Sequence, residues 1–386
     1  MTALDPGALL SAVAGVFSYG LSVAGINVLP ALLILGGLIF VHELGHYLAA
    51  RWAGVAVKAF SLGFGPRLCG WVSPAGTDWK LCAIPLGGYV KMAGERGDRD
   101  NASDTAPALE LDGLALNEIP AWKRVIILLA GVAMNALAAL VILFAYVSLA
   151  EIKQAPAEIA EVAANSPAAA AGLQPGDTVV AVNGKPIDAF QDLARTVHLG
   201  LDRSVTLMIA RDGTRLQIVV APVVRSAMIA GRDTKIGLIG VRPGEPETVH
   251  PGPGERVALA AETTVKQWNA ITLGMWQMAT GERSLTALAG VVGVGHVAGV
   301  IYEAQGWLAL LPLASLISLS LVFTNLLPVP VLDGGQVVLV AIEKLRGAPL
   351  GPTIQKALVG VSLVLVVGLF GLTFTNDVIA IVRSMA

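Results

Sequence analysis

Long apolar runs, broken by charged loops and by glycine and proline turns, dominate the pattern of this chain. A helix needs about 20 apolar residues to cross ~30 Å of hydrocarbon. Four stretches meet that length: residues 28–50, 125–150, 307–327 and 357–382. A fifth run, residues 8–25, is parted from the first span by Asn27 and Pro30. Asp5 is its only nearby charge, so it lacks the basic lead of a signal peptide and reads as a surface helix or an extension of the first span. A sixth run, residues 285–301, is short and carries Gly290, Gly293, Gly295, Gly299 and His296, which suits a partly buried or re-entrant segment.

Between the spans the period changes. Residues 57–92 alternate like a β-hairpin, and residues 94–118 are acidic and loop-like. From 155 to 225 short strand patterns (178–182, 204–210, 216–220) are separated by Pro175-Gly176-Asp177, Asn183-Gly184-Lys185 and Asp212-Gly213, all turn signals. Residues 226–254 are rich in Gly and Pro and read as a linker, and 254–280 as an amphipathic helix with Trp268 and Trp276 suited to a membrane interface. The expected organisation is an apolar segment (1–25), a first transmembrane helix (26–50), a loop with the hairpin (51–124), and a second transmembrane helix (125–150). There follow a folded domain (151–225), a linker with an amphipathic helix and the sixth run (226–304), a third transmembrane helix (305–335), a loop (336–356) and a fourth transmembrane helix (357–386).

Composition agrees. Of 386 residues 55% are hydrophobic and 14% charged, with a mean hydropathy of +0.70; a soluble domain carries about 25% charged residues. Disorder and collagen-like repeats are excluded, and a net charge of −2 without a basic block excludes nucleic-acid partners. The fold class is an α-helical polytopic membrane protein of about four transmembrane helices, with the lipid bilayer as its surroundings. Arg51 follows the first span, Lys123 and Arg124 precede the second, and Lys344, Arg346 and Lys356 separate the third from the fourth. Positive charge stays on the cytoplasmic side, so loops 51–124 and 328–356 are expected there and 151–306 outside. Cys69 and Cys82 on the hairpin are then expected as free thiols.

The sharpest chemical signal is His42-Glu43-Leu44-Gly45-His46. Residues i and i+4 share one helix face, so two imidazoles can hold one zinc ion with Glu43 beside it to take a proton. At this composition chance produces the pattern in about two of every thousand chains. The plainer alternative is a histidine pair packed in a bundle, but ionisable residues inside a span are costly and usually functional. At ~1.5 Å per residue, His42 lies about 13 Å from Arg51, which puts the site inside the bilayer near its cytoplasmic face. Catalytic zinc usually has three protein ligands, and Asp333 is the candidate third. Pro328 and Pro330 break the third span ahead of it, and Gly334-Gly335 lets the chain turn. Alone, an Asp there also reads as a helix cap.

With these residues the chain resembles the site-2 protease family of intramembrane zinc metalloproteases, specifically the bacterial regulator-of-sigma-E protease branch. The matching motifs are 42–46, Phe64-Gly65-Pro66 through Pro85-Leu86-Gly87-Gly88-Tyr89-Val90-Lys91-Met92, Ala171-Gly172-Leu173-Gln174-Pro175-Gly176-Asp177, and Asn325 through Gly335, in family order. Departures are Val132 after Gly131 where the family has proline, Gln336 in place of a histidine, and Val291 in place of a proline; none touches the candidate ligands or base.

The resemblance implies one zinc per chain, a cytoplasmic membrane-associated β-hairpin, one periplasmic PDZ-like α+β domain and a bacterial inner-membrane location. The implied reaction is hydrolysis of a peptide bond in the transmembrane segment of a single-pass membrane protein. The family's typical targets are an anti-sigma factor already cut by an upstream site-1 protease, and remnant signal peptides. Gly87, Gly88, Tyr89 and Val90 would offer an edge strand to an unwound substrate. Asn135 and Asn325 would handle substrate backbone or oxyanion, or simply bond between helices. A PDZ loop of Ala171, Gly172, Leu173 and Gly176 would receive a chain terminus through its amides, or the domain would act as a size filter. His198, His250 and His296 are assigned to structure or surface. The competing class is a non-enzymatic metal-binding scaffold recruiting partners through the PDZ-like domain, for which Glu43 would be superfluous. A zinc transporter would need further ionisable residues along the spans, of which the sequence has almost none beyond the motif.

Overall fold

A computed structural model describes residues 28–94, 113–229 and 232–385. The apolar segment 1–25 and most of the acidic loop 94–118 lie outside the described residues. The chain divides into two compact units, one from Met1–Leu143 with Ala289–Val378, the other from Phe144–Leu288 with Ile379–Ala386.

Four described helical stretches are long and apolar enough to cross a membrane: Pro30–Ala53, Ala121–Leu149, Trp307–Asn325 and Thr353–Ala380. The chain is a polytopic membrane protein. In the first unit α1 (Val28–Ala53) leads into a β element, β1 (Val57–Val72) and β2 (Asp78–Met92). Its register is richer than the expected hairpin. Residues 57–62 pair on one side with 78–81 and on the other with 88–92, while 69–72 pair with the far side of 78–81. Four short strands therefore run in the order 69–72, 78–81, 57–62, 88–92, and Gly88 to Val90 form the outer strand. Val57, Phe60, Val90 and Met92 pack on Ala50, Ala53, Ile119 and Ile127, which fixes the sheet to the end of α1. The distal part exposes Phe64, Leu68 and Trp71.

Helix α2 (Ala121–Leu149) approaches α1 closely. A Cβ on Gly45 would lie 2.5 Å from the Ala130 carbonyl oxygen and 2.7 Å from Met134 Cγ, so only glycine permits this crossing. The sixth apolar run folds mainly as a helix, Val291–Gln305. It buries Gly293, Gly295, Ala298 and Gly299, with Ala298 packed against Ala31 of α1 and Leu310. Its first turn is capped from the fourth span: the N–H groups of Gly290 and Gly293 donate to the Asp377 carboxylate at 3.0 and 2.7 Å.

The third apolar span ends at Asn325 rather than 335. Residues 326–332 make a tight turn, and Asp333 opens a new helix, Asp333–Arg346, where a loop from 336 was expected. Prolines 328 and 330 stop the span, and the Gly334-Gly335 pair lets the turn fold back on the new helix. Side chains there would collide with the carbonyls of Leu326 and Val329. Helix Pro352–Met385 completes the chain.

In the second unit two short strands, β3 (Ile152–Gln154) and β4 (Ile159–Val162), precede β5 (Thr178–Val182), β6 (Lys185–Pro186), β7 (Val205–Arg211) and β8 (Thr214–Val220), and the last four form one sheet in the order β6-β5-β7-β8. Helix Phe190–Gly200 covers it, burying Phe190, Leu193 and Val197 with Ile159, Leu207 and Ile209. The expected linker is instead folded. Strands Val223–Ile229 and Arg232–Leu238 pair with each other, Val241–Pro243 pairs with Ile159–Val162, and Glu247–Val249 pairs with Ile152–Gln154. Ile239 enters the core at 3% exposure, so this unit does not end at 225. Helix Pro253–Ala279 follows and is tied to the same unit by Lys266 to Asp192 at 2.6 Å and by Gln277 Nε2 donating to the Leu199 carbonyl at 2.6 Å.

Candidate metal centre

His42 and His46 lie one turn apart on the face of α1 turned towards α2, 9% and 8% exposed. Their Nε2 atoms stand 3.1 Å apart. Asp333 reaches them from the first residue of its helix, with Oδ2 3.2 Å from His42 Nε2 and Oδ1 3.5 Å from His46 Nε2. One ligand atom from each of the three falls within 4.8 Å of the others. Room for the imidazoles comes from α2: a Cβ on Gly131 would lie 2.5 Å from His46 Nε2 and 2.8 Å from His42 Cε1. The sequence showed Gly131 only as a motif position; its contact with both rings appears only once the helices are packed.

These residues fit zinc. Two imidazole nitrogens and a carboxylate are a common donor set of catalytic zinc, which keeps its fourth position open. Asp333 Oδ2 is buried and makes no hydrogen bond, an acceptor that protein alone would not leave unsatisfied. The His46 ring is held from behind, its Nδ1 2.8 Å from the Ile127 carbonyl, which can only accept. The turn before Asp333 is stapled by Gln336, whose side-chain N–H donates to the Pro330 carbonyl at 2.6 Å.

Glu43 neighbours His42 and meets the β element. A Cβ on Gly88 would lie 3.1 Å from Glu43 Cγ, 3.1 Å from Ile39 Cγ2 and 2.9 Å from the Ser61 carbonyl oxygen. The outer strand 88–90 thus begins against Glu43. Gly87 adjoins the Phe64 ring, Tyr89 stacks on Phe64 with ring centres 6.1 Å apart, and Val90 is part of the core below. Asn135 is fully buried with its carboxamide 3.4 Å from His42 Nδ1; Ser318 donates to its backbone carbonyl at 2.8 Å. Asn325 is the last residue of the third apolar helix, half-buried ahead of the turn to Asp333.

In the second unit the amides of the expected terminus-binding loop are bonded internally. Ala171 donates to Pro167, Gly172 to Ala169, Leu173 to Ala168, Gln174 to the Asp177 carboxylate, Gly176 to Ile159 and Asp177 to Gln174; Pro175 has no N–H. Arg211 locks the loop, its Nε 2.6 Å from Asp177 Oδ1 and its Nη2 donating to the Gly172 carbonyl at 2.8 Å. Burial raises the Asp177 pKa, but the Arg211 guanidinium and the Gln174 N–H outweigh it and hold the carboxyl below its ordinary 3.8. Burial alone pushes the pKa of His198 down.

Comparison with known proteins gives one consistent answer. The model of peptidase family M50 matches residues 30–369. A candidate zinc metalloprotease of Agrobacterium fabrum is 34% identical over 364 residues, covering 92% of this chain and 96% of that protein. One of Mesorhizobium japonicum is 35% identical over 364 residues, covering 91% and 98%. The metalloprotease MmpA of Caulobacter vibrioides is 33% identical over 396 residues, covering 91% and 95%. Among solved structures, the PDZ domain of an SdrC-like protein from Listeria monocytogenes covers 24% of this chain and 93% of its own at 16% identity and a TM-score of 0.20, too low to assign a fold.

Proposed function

The chain belongs to peptidase family M50 and is a zinc metalloprotease of the site-2 type, and from that premise we propose that it hydrolyses a peptide bond within the transmembrane segment of a single-pass membrane protein. The observation that carries this reading is the convergence of Asp333 on His42 and His46, which lie inside an apolar span. A peptidase acting on soluble chains has no use for ligands embedded there. With the family established, the scaffold alternative loses its ground.

His42, His46 and Asp333 are the ligands and Glu43 is the base. Zinc held there supplies a Lewis acid for the scissile carbonyl and lowers the pKa of water. Glu43 takes the proton of the attacking water and returns it to the leaving nitrogen. A helical substrate hides its carbonyls in i→i−4 bonds, so it must unwind first, and helices of weak propensity are preferred. The outer strand from Gly88 to Val90, which starts beside Glu43, is the place to receive that unwound segment by β-augmentation.

The bacterial relatives favour an inner-membrane location, and charge bias around the spans favours a ligand site near the cytoplasmic face with the second unit, PDZ-like, in the periplasm. The internally used amides of loop 171–177 favour a size filter over capture of a terminus. A filter suits a substrate already trimmed by a site-1 protease, an anti-sigma factor or a remnant signal peptide.

The test is cleavage of a tagged single-span substrate with its outer domain trimmed, by purified wild type and by zinc-loaded Glu43→Gln in detergent. Cleavage by wild type alone, abolished by a chelator, is expected. Equal cleavage by both removes Glu43 as base, and cleavage by neither across several helix-weak substrates removes the intramembrane reading.

A further inference from the structure

Asn135 sits one helical turn after Gly131, on the α2 face that packs against the two imidazoles. Its side chain is completely buried. Nδ2 lies 3.4 Å from His42 Nδ1, while Oδ1 is buried with no hydrogen-bond partner. A buried amide oxygen left without a donor is costly.

The protons of His42 resolve this. Its Nε2 faces His46 Nε2 and Asp333 Oδ2, so Nε2 is the nitrogen turned to the metal. A neutral imidazole carries one proton; if Nε2 offers its lone pair, the proton is on Nδ1 and needs an acceptor. An amide nitrogen cannot accept it. A half-turn of the carboxamide exchanges its two ends with no change of shape. The oxygen then meets Nδ1–H, which gives the orphaned acceptor a donor and the imidazole proton an acceptor, while the amide nitrogen takes the place the oxygen leaves. His46 already shows this arrangement, with Nδ1 against the Ile127 carbonyl.

We infer that Asn135 positions His42 for the metal through its side-chain oxygen, which accepts the Nδ1–H proton of that imidazole. It rests on the reading of His42 as a zinc ligand. Asn135 is thereby a positioning residue, fixing the tautomer and the ring plane, rather than a group that handles substrate. Ser318 holds it in register by donating to its backbone carbonyl. Partners of this kind typically change metal affinity by about 10- to 100-fold when removed.

The experiment measures zinc affinity of the full chain in detergent by chelator competition, with the cobalt(II) absorption spectrum as a second readout of ligand geometry. Asn135→Ala is expected to weaken zinc by about 10- to 100-fold and to change the cobalt spectrum. Asn135→Asp, which can accept but not donate when ionised, is expected to keep affinity within about threefold of wild type or to tighten it. Asn135→Asp as weak as Asn135→Ala, or Asn135→Ala binding as wild type does, overturns the inference while leaving the zinc site standing. A wild type that holds no zinc instead overturns the ligand reading beneath it. Should Asn135→Ala not fold, NMR of isotope-labelled histidine in zinc-loaded wild type decides: a proton on His42 Nδ1 is expected, and a proton on its Nε2 is the contrary result.

Discussion

Two carboxylates, one in each unit, are treated in opposite ways. Asp177 immediately precedes β5, and its carboxylate accepts from protein donors: Arg211 from two nitrogens at 2.6 and 2.8 Å and the Gln174 N–H at 2.8 Å. Asp333 opens a helix, faces two imidazole nitrogens and keeps a buried oxygen without a hydrogen bond. A carboxylate satisfied by the protein's own donors stabilises a loop. One whose acceptor is left over, beside two nitrogens that need a Lewis acid, marks a ligand site.

Removing each carboxylate separates the two roles most sharply. Asp333→Ala is expected to lower zinc affinity by roughly a thousandfold or more, with proteolysis falling to background and hydrogen exchange of β5 and β7 unchanged. Metal analysis together with exchange on the full chain reads both. Asp177→Asn is expected to do the reverse, destabilising the second unit, seen as faster exchange in β5 and β7, with zinc content unchanged. Because the folded pKa of Asp177 is depressed, its contribution is fully present above the ordinary value of 3.8 and is lost as pH falls below it. Exchange protection of β5 should therefore weaken below about pH 4 in wild type and much less in Asp177→Asn.

A smaller effect tests how finely the metal unit is built. Gly88→Ala introduces a Cβ within 3.1 Å of Glu43 Cγ and 2.9 Å of the Ser61 carbonyl. It should keep zinc and lower kcat/KM on a single-span substrate about tenfold by displacing the base and the outer strand together. Loss of zinc in that variant would mean that the strand supports the ligands rather than the substrate.

The spans, the zinc motif and the turns at Asn183-Gly184 and Asp212-Gly213 are legible in the sequence because each follows from a local rule, whether length, i/i+4 spacing or left-handed backbone. What the sequence hides is pairwise. Residues 226–254 look like a linker because their glycines and prolines outweigh short strands that pair only with one another or with 152–162. The hairpin reads as two strands because residues 57–62 bond on both edges, which no alternation reveals. Gly131 reads only as a motif position and Asn135 as a substrate-handling or interhelical residue until α2 is laid against His42 and His46. The loop at 171–177 resembles an amide nest, but its amides are consumed by partners as distant as Ile159.

The most direct test of the central claim is zinc X-ray absorption on the purified full chain. Two imidazole ligands at about 2.0 Å with the remaining positions filled by oxygen, and no sulfur, is the predicted spectrum. The imidazole signal should halve in His46→Ala, and Asp333→Ala should lose the metal. Sulfur scattering, more than two imidazoles, or stoichiometric zinc retained in Asp333→Ala would contradict the assignment of His42, His46 and Asp333 as the site.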